Sequence, residues 1–128
     1  MKIATILPYK ENYTFAKAQA AAIWVSDFYK NSKFRDQNFI FGNTNTKDFL
    51  TKNYVNIKIN NLKSKFTSTT KEYCDNFIKY AINKNFDILE IHNRPEVFNL
   101  LKPNFKSKFI LYFHNDPLTM NGSKRSGP

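Results

Sequence analysis

The stretch that most constrains the fold is the run FILYFHNDP, from Phe109 to Pro117. Its first five residues are apolar and prone to β structure, and they are too few for a buried helix. The last four are His-Asn-Asp-Pro, and a proline cannot continue a hydrogen-bonded ladder. The run therefore predicts a buried strand that delivers His114, Asn115 and Asp116 to solvent at its carboxyl end.

A second stretch has the same order of residue types. The largely apolar segment Phe86 to Ile91 ends in the polar run His92, Asn93 and Arg94. Loops that leave parallel strands meet at one edge of the sheet, where helix amino-termini present free N–H groups. We therefore expect His92 and His114 to be neighbours at that edge.

Strand and helix patterns alternate along the rest of the chain. Strands are predicted over Lys2 to Leu7, Asn38 to Phe41 and Tyr54 to Ile59, and helices over Phe15 to about Asn31, from Ser68 or Thr69 to about Asn83, and over Glu96 to Leu101. Such alternation predicts an α/β fold, a parallel sheet of about five strands with helices on both faces. Right-handed crossovers then favour the strand order 3-2-1-4-5 of a single Rossmann-like domain.

Local signals refine these elements. Thr14 is a typical cap for the first long helix, and Ser68 or Thr69 together with Glu72 forms a capping-box pattern for the second. A helical turn is predicted over Lys47 to Lys52. The apolar helix faces predicted to pack onto the sheet carry Phe15, Ala18, Ala22, Val25 and Tyr29 in the first helix, and Tyr73, Phe77, Tyr80 and Ala81 in the second.

The length predicts one domain. Of the 128 residues, we expect 1–119 to form that domain and 120–128 to be a flexible tail or truncation end. The single cysteine, Cys74, excludes an intrachain disulfide and a cysteine-built metal cage. No signal-peptide pattern and no run of about 18 apolar residues is present. We therefore expect a cytoplasmic protein, which could contact the inner face of the membrane peripherally.

The net charge limits the classes of partner that the chain can bind. A formal charge of +10 is compatible with nucleic acid, anionic lipid or phosphorylated ligands. The basic residues are almost all lysines, scattered through every segment, whereas a nucleic-acid interface usually clusters its charge and uses arginine. We therefore assign most of the charge to a solvated surface and do not expect nucleic acid as a partner.

Several kinds of site are excluded by missing patterns. The loop Pro8 to Thr14 follows the first strand and brings Lys10 and Glu11 to the same edge as the histidines. It contains no glycine, so it is neither a dinucleotide-binding loop nor a phosphate loop of an ATPase. No carboxylate pair has the spacing of a glycosidase, and no Ser or Cys lies in a nucleophile elbow.

The polar residues also have ordinary structural interpretations. A lone histidine is more often structural than catalytic, although the strand-exit position of His114 makes the two interpretations equal. Asn115 and Asp116 are equally typical of a turn before a proline. A metal site of His92, His114 and Asp116 lacks a helical His-x-x-x-His signature, so no metal is predicted.

Two charged residues near His92 leave alternatives open. Arg94 could hold an anion together with the free N–H groups of the following helix, or it could pair with Glu96 or Glu90. Glu90 lies inside a predicted strand. If its carboxylate faces the core, it needs a partner such as lysine or arginine.

The two strand endings also occur in a known family. The chain resembles the amino-terminal half of family 4 glycosyltransferases of the GT-B fold, especially bacterial enzymes that build lipopolysaccharide or other surface glycans, in the runs DILEIHNRP from Asp87 and FILYFHNDPL from Phe109. The first strand, which begins at Met1, is similar too, and the resemblance extends to about Lys124. It implies sugar transfer from a nucleotide-diphosphate sugar to a glycan or lipid-linked acceptor, with retention of configuration and without a metal or cofactor.

The family also implies roles for residues. His114 matches the catalytic histidine that touches the transferring sugar, where a neutral imidazole can orient a hydroxyl and stabilise developing charge. The expected substrate-binding residues are His92, Asn93, Arg94, Asn115, Asp116, Lys10 and Glu11.

The chain departs from the family in two respects. The loop after the first strand has no glycine, and the second domain, which would hold the nucleotide sugar, is missing. One wall of a cleft cannot exclude water or orient a donor, so we expect little or no activity from these residues alone. The expected partner is a donor-binding domain or partner chain. The alternative is a stand-alone, flavodoxin-like binding module for a small anionic ligand or a protein.

Overall fold

Five parallel strands form one sheet in the computed structural model, which describes residues 1–9, 11–15, 18, 20–44, 47–59 and 68–114. The strands are β1 (Ile3–Ile6), β2 (Asn38–Gly42), β3 (Tyr54–Asn56), β4 (Ile88–His92) and β5 (Lys108–Tyr112). They lie in the order β3-β2-β1-β4-β5. The predicted α/β class and strand order are therefore confirmed.

Helices cover both faces of the sheet, as predicted. The α-helices are α1 (Ala20–Asn31), α2 (Thr69–Ala81) and α3 (Pro95–Leu101), and short 3₁₀ helices span Arg35–Gln37 and Lys102–Asn104. The crossover from β1 to β2 runs through α1, whereas α2 and α3 connect β3 to β4 and β4 to β5. Because right-handed crossovers to opposite sides of β1 use opposite faces, α1 lies on one face and α2 and α3 lie on the other.

Two apolar clusters fix these layers. On the first face, Ala22 and Val25 of α1 pack with Leu7 and Ile40. On the second face, Phe77 of α2 packs edge-to-face on Phe41, with ring centroids 4.9 Å apart. Full burial of such side chains stabilises the fold by about 1.5–3 kcal/mol each.

The start of α2 agrees with its sequence signal. The side chain of Ser68 accepts a hydrogen bond from the N–H of Lys71 at 3.0 Å, so Ser68 is the cap. Cys74 on the same helix is buried, and burial raises the pKa of its thiol to about 12. Its thiol is therefore protonated and unreactive at neutral pH.

The predicted start of the first helix was wrong. Helix α1 begins at Ala20, Phe15 is 71% exposed, and Thr14 forms an isolated antiparallel bridge with Phe49 instead of a cap. The ring of Tyr13 is stacked on that of Tyr54, with centroids 5.1 Å apart. These long-range contacts hold Tyr13 and Thr14 outside the helix, and helical periodicity cannot reveal them.

Two smaller predictions were also wrong. Residues 47–52 contain no helical turn, because Leu50 donates its N–H to the carbonyl of Tyr13 and the segment pairs with the loop after β1. Tyr80 of α2 is 42% exposed rather than buried. Its ring contacts Phe41 at the border of the core, with centroids 5.5 Å apart.

Some predictions fall on residues outside the described part of the chain. These are Lys10, Asn115 and Asp116 of the expected site, and the tail 120–128. Among the residues that are described, no helix is long and apolar enough to cross a bilayer.

Candidate active site

The carboxyl edge of the sheet brings the two histidines together. His92 is the last residue of β4 and lies opposite Tyr112 of β5, so the chain reaches His114 two residues beyond this pair. The Nδ1 atom of His92 lies 2.8 Å from Nε2 of His114, which is hydrogen-bond distance. The expectation that these residues are neighbours is therefore confirmed.

Asn93 positions His114 from the other side. It adopts a left-handed conformation with φ of 59°, which asparagine tolerates better than most residues. Its N–H donates to the carbonyl of Tyr112 at 2.9 Å, and its side-chain oxygen accepts the N–H of His114 at 2.6 Å. The imidazole of His114 is thus fixed through both its ring and its backbone.

Both imidazoles are neutral at physiological pH. Burial, with a smaller contribution from the charge of His114, lowers the pKa of His92 to about 3. Burial also lowers the pKa of the half-buried His114 below its usual 6.5. A neutral pair can share one proton in a hydrogen bond, whereas two imidazolium ions at this distance would repel each other.

Hydrogen-bond balance indicates which nitrogen carries the proton. The Nε2 atom of His92 is buried and has no hydrogen-bond partner among the described residues. A buried N–H without a partner is rarer than an unsatisfied acceptor, so Nδ1 of His92 is assigned as the donor to His114. This leaves Nδ1 of His114 as an N–H that can donate to a ligand.

An aromatic layer surrounds the pair. The indole of Trp24, on α1, lies 5.5 Å from the ring of His92 and 5.3 Å from the ring of His114, measured between centroids. Tyr112 stacks on His92 at 4.8 Å. Sequence reasoning missed Trp24, although its spacing of four residues from Phe28 marks a second apolar face on α1.

Arg94 lies in a second polar group at the same edge. Its guanidinium lies 5.8 Å from the ring centroid of Tyr9, and its Nη1 lies 3.7 Å from a carboxylate oxygen of Glu96. The predicted pairing of Arg94 with Glu96 is therefore present, although the contact is long. A half-buried guanidinium whose ion pair is this long can still bind an anionic or hydroxylated ligand.

Glu11 has a structural role at this edge. It is 5% exposed, and its carboxylate accepts the N–H of Ala22 at 2.8 Å in the first turn of α1. Burial raises the pKa of Glu11, while the bonds to Ala22 and Ala21 and the charge of Arg94 oppose that rise. Glu11 thus satisfies the helix start that Thr14 was expected to cap, and its substrate role stays a prediction.

Among the described residues, the partner of Glu90 is a hydroxyl instead of the expected cation. Its carboxyl oxygen lies 3.0 Å from the hydroxyl of Thr5, which in turn lies 2.9 Å from the side-chain oxygen of Asn38. Burial raises the pKa of Glu90, and the Thr5 hydrogen bond partly opposes the rise. Within the described residues, no group of three histidine, cysteine, aspartate or glutamate side chains is placed to hold a metal ion.

These observations define a class of protein, a five-stranded parallel α/β domain with a neutral, preorganised histidine pair at the carboxyl edge of its sheet. Comparison with models of protein families, with curated proteins and with solved structures found no match to the chain. Its function is therefore inferred from the chemistry of this edge.

Proposed function

We propose that this chain forms the acceptor-side half of a retaining glycosyltransferase, which transfers a sugar from a nucleotide-diphosphate sugar to a glycan or lipid-linked acceptor. The observation that carries the proposal is the neutral, half-buried ring of His114, which lies 2.8 Å from Nδ1 of His92, while Asn93 accepts the backbone N–H of His114 at 2.6 Å. The position of this ring at the carboxyl edge supports it, because open α/β sheets bind their ligands there.

The chemistry of His114 suits a sugar hydroxyl. A neutral imidazole N–H donates a hydrogen bond to an oxygen on which negative charge develops, and it does so without first gaining a proton. The lowered pKa of His114 keeps this donor in the same state across the neutral range. Because His92 and Asn93 already fix the ring, little reorganisation is needed when the acceptor binds.

Binding of the nucleotide-sugar donor is assigned to residues outside this domain. We propose that the nucleotide is held by a second domain or a partner chain that closes over this edge. His114 would then touch the transferring sugar, and Arg94 would contact polar groups on the acceptor side. Closure excludes water, so these 128 residues by themselves should transfer little sugar. Synthesis of surface glycans at the cytoplasmic face of the membrane is the corresponding biological setting.

Nuclear magnetic resonance of the two histidines tests the proposal. The chain contains only two, so ¹⁵N-histidine labelling gives signals that His92→Gln and His114→Gln assign. Methyl glucoside, methyl galactoside and N-acetylglucosamine are titrated separately. We expect at least one of them to shift the ring signals of His114 at millimolar concentration, and His114→Gln to weaken its binding.

Titration with inorganic phosphate tests the alternative function, a stand-alone module that binds a small anion. The contact between Arg94 and Glu96 is long at 3.7 Å, which favours a stand-alone module that binds a small anion. If phosphate shifts the backbone amide signals around Arg94 in the uniformly ¹⁵N-labelled chain and none of the sugars shifts His114, the transferase proposal is overturned and the binding module is favoured. An Arg94→Gln variant should then abolish the phosphate response.

A further inference from the structure

A shallow cavity of about 400 Å³, open to solvent, runs along the exposed flank of α1. It is lined by Trp24, Asp27, Phe28, Asn31 and Ser32. Its volume lies within the range of about 300–1,000 Å³ that small-molecule sites occupy. None of these residues belongs to the site predicted from the sequence. Packing in the core does not explain the two aromatic side chains, because Trp24 is 37% and Phe28 46% exposed.

The two aromatic rings form a stacked pair. The planes of Trp24 and Phe28 are inclined by only 7°, with centroids 5.1 Å apart. Spacing of four residues on a helix places them on one face, while Ala22, Val25 and Tyr29 of the same helix are buried against the sheet. Helix α1 therefore has one apolar face that packs and a second aromatic face that borders the cavity.

The rim of the cavity carries matched hydrogen-bonding groups. Asn31 donates its amide N–H to the carbonyl of Asp27 at 2.8 Å, which leaves its side-chain oxygen as an acceptor. Ser32 accepts the N–H of Phe34 at 3.0 Å, which leaves its hydroxyl proton as a donor. With the carboxylate of Asp27, the rim offers acceptors on Asp27 and Asn31 and donors on Ser32 and on the second amide N–H of Asn31.

A pyranose ring has the complementary chemistry. In a chair with equatorial hydroxyls, its axial C–H bonds form an apolar face that packs on an aromatic plane. Its hydroxyls lie at the ring edge, where they can donate to Asp27 and Asn31 and accept from Ser32. A purely apolar ligand would cover these polar groups without satisfying their hydrogen bonds, which is unfavourable.

We propose that the cavity lined by Trp24, Asp27 and Phe28 is a binding subsite for a pyranose sugar with equatorial hydroxyls. Trp24 joins this subsite to the histidine pair, because its ring lies 5.3 Å from that of His114. This inference rests on the proposed function. The subsite receives a sugar of the acceptor glycan that lies one or more units away from the reacting hydroxyl. The acceptor class is then an oligosaccharide.

Fluorescence of Trp24, the only tryptophan in the chain, measures binding directly. Methyl β-glucoside and cellobiose are titrated against the wild-type chain, with glycerol and 1-propanol as controls that lack a sugar ring. We expect both sugars to change the emission of Trp24, the disaccharide to bind more tightly, and the controls to have no effect. Equal responses to propanol and to sugar would overturn the proposal.

Variants of exposed residues locate the sugar. Phe28→Ala should weaken binding about tenfold, and Asp27→Asn roughly fivefold, corresponding to one ring contact and one hydrogen bond. Ile23→Ala is the matched control, because Ile23 is 50% exposed on the same helix but does not line the cavity. The Ile23→Ala variant should bind the sugars as tightly as the wild type does. Unchanged binding in Phe28→Ala would overturn the proposal.

His114→Gln separates this inference from the proposed function. If the subsite exists, methyl β-glucoside still alters the emission of Trp24 in His114→Gln. Only the affinity for the disaccharide falls in this variant. If the subsite is wrong but the transferase proposal holds, sugars shift the ring signals of His114 while Phe28→Ala binds normally. If neither group responds to any sugar, both proposals fail.

Discussion

The indole of Trp24 lies 5.3 Å from the imidazole of His114, so the single tryptophan of the chain is in contact with the candidate catalytic residue. An imidazolium ion accepts an electron from an excited indole and quenches its fluorescence, whereas neutral imidazole does so far less. Trp24 therefore reports the protonation state of His114.

A fluorescence titration follows from this contact. As the pH falls, we expect Trp24 emission to decrease with a midpoint below 6.5, because burial lowers the pKa of His114. His114→Gln should remove this transition. A midpoint at or above 6.5 would contradict the assignment of a neutral, desolvated ring.

Asn93 combines a left-handed backbone with a hydrogen bond to His114, and substitutions separate the two effects. Asn93→Asp keeps the acceptor and should lower the free energy of unfolding by no more than about 0.5 kcal/mol, whereas Asn93→Gly loses the hydrogen bond at a cost of about 1 kcal/mol. Asn93→Ala adds backbone strain, for a total of roughly 2 kcal/mol. Urea denaturation measures each value.

Asn85 is the internal control for that series, since its φ is also 59°. Asn85→Ala should show the strain of a left-handed alanine without altering the ring signals of His114. If Asn93→Gly leaves both stability and the His114 signals unchanged, the hydrogen bond does not position the histidine.

Glu11 is predicted to stabilise α1 through its bond to the N–H of Ala22. Glu11→Ala should lower the free energy of unfolding by about 1 kcal/mol, as loss of a helix cap does. Glu11→Gln keeps an acceptor oxygen and should cost less. Thermal unfolding followed by circular dichroism compares the two variants. Equal stability of Glu11→Ala and wild type would instead favour a role at the ligand.

Glu90 is predicted to make stability fall as the pH rises. Burial raises its pKa in the folded state above the ordinary 4.5, so the folded chain resists ionisation that the unfolded chain undergoes freely. The resulting loss of free energy of unfolding is absent below pH 4.5. It grows as the pH rises toward the pKa of Glu90 in the folded state, and it is constant above that pKa. Glu90→Gln should match wild type in urea denaturation at pH 4 and exceed it at pH 8.

Comparison of Glu90→Gln with wild type at each pH removes other titrating groups from this test. The depressed pKa of His92 acts in the opposite direction, since its stabilising effect is lost as the pH falls from 6.5 toward 3. Only the difference between Glu90→Gln and wild type isolates Glu90. A variant that is less stable than wild type at pH 8 would show that the carboxylate is ionised and favourably bonded there.

Much of the fold was predictable because it depends on local pattern. Apolar runs that end in His92 and His114 specify strands with polar carboxyl ends, and the handedness of crossovers then favours the observed strand order. The cap of α2 was predictable as Ser68 or Thr69, since capping depends on residues close together in the chain.

Contacts between distant segments were not predictable. The late start of α1 depends on the stacking of Tyr13 on Tyr54, and the unexpected roles of Glu11 and Glu90 depend on partners that only folding brings near. No periodicity records such contacts.

The sequence by itself determined the class of fold and the edge at which the two histidines would meet, because strand patterns and chain chirality act through near neighbours. Only the tertiary structure decided that these histidines bond to each other and are neutral, and that Trp24 lies against them. The physical reason is that burial and hydrogen-bond geometry depend on side chains from separate elements, here α1, β4 and β5.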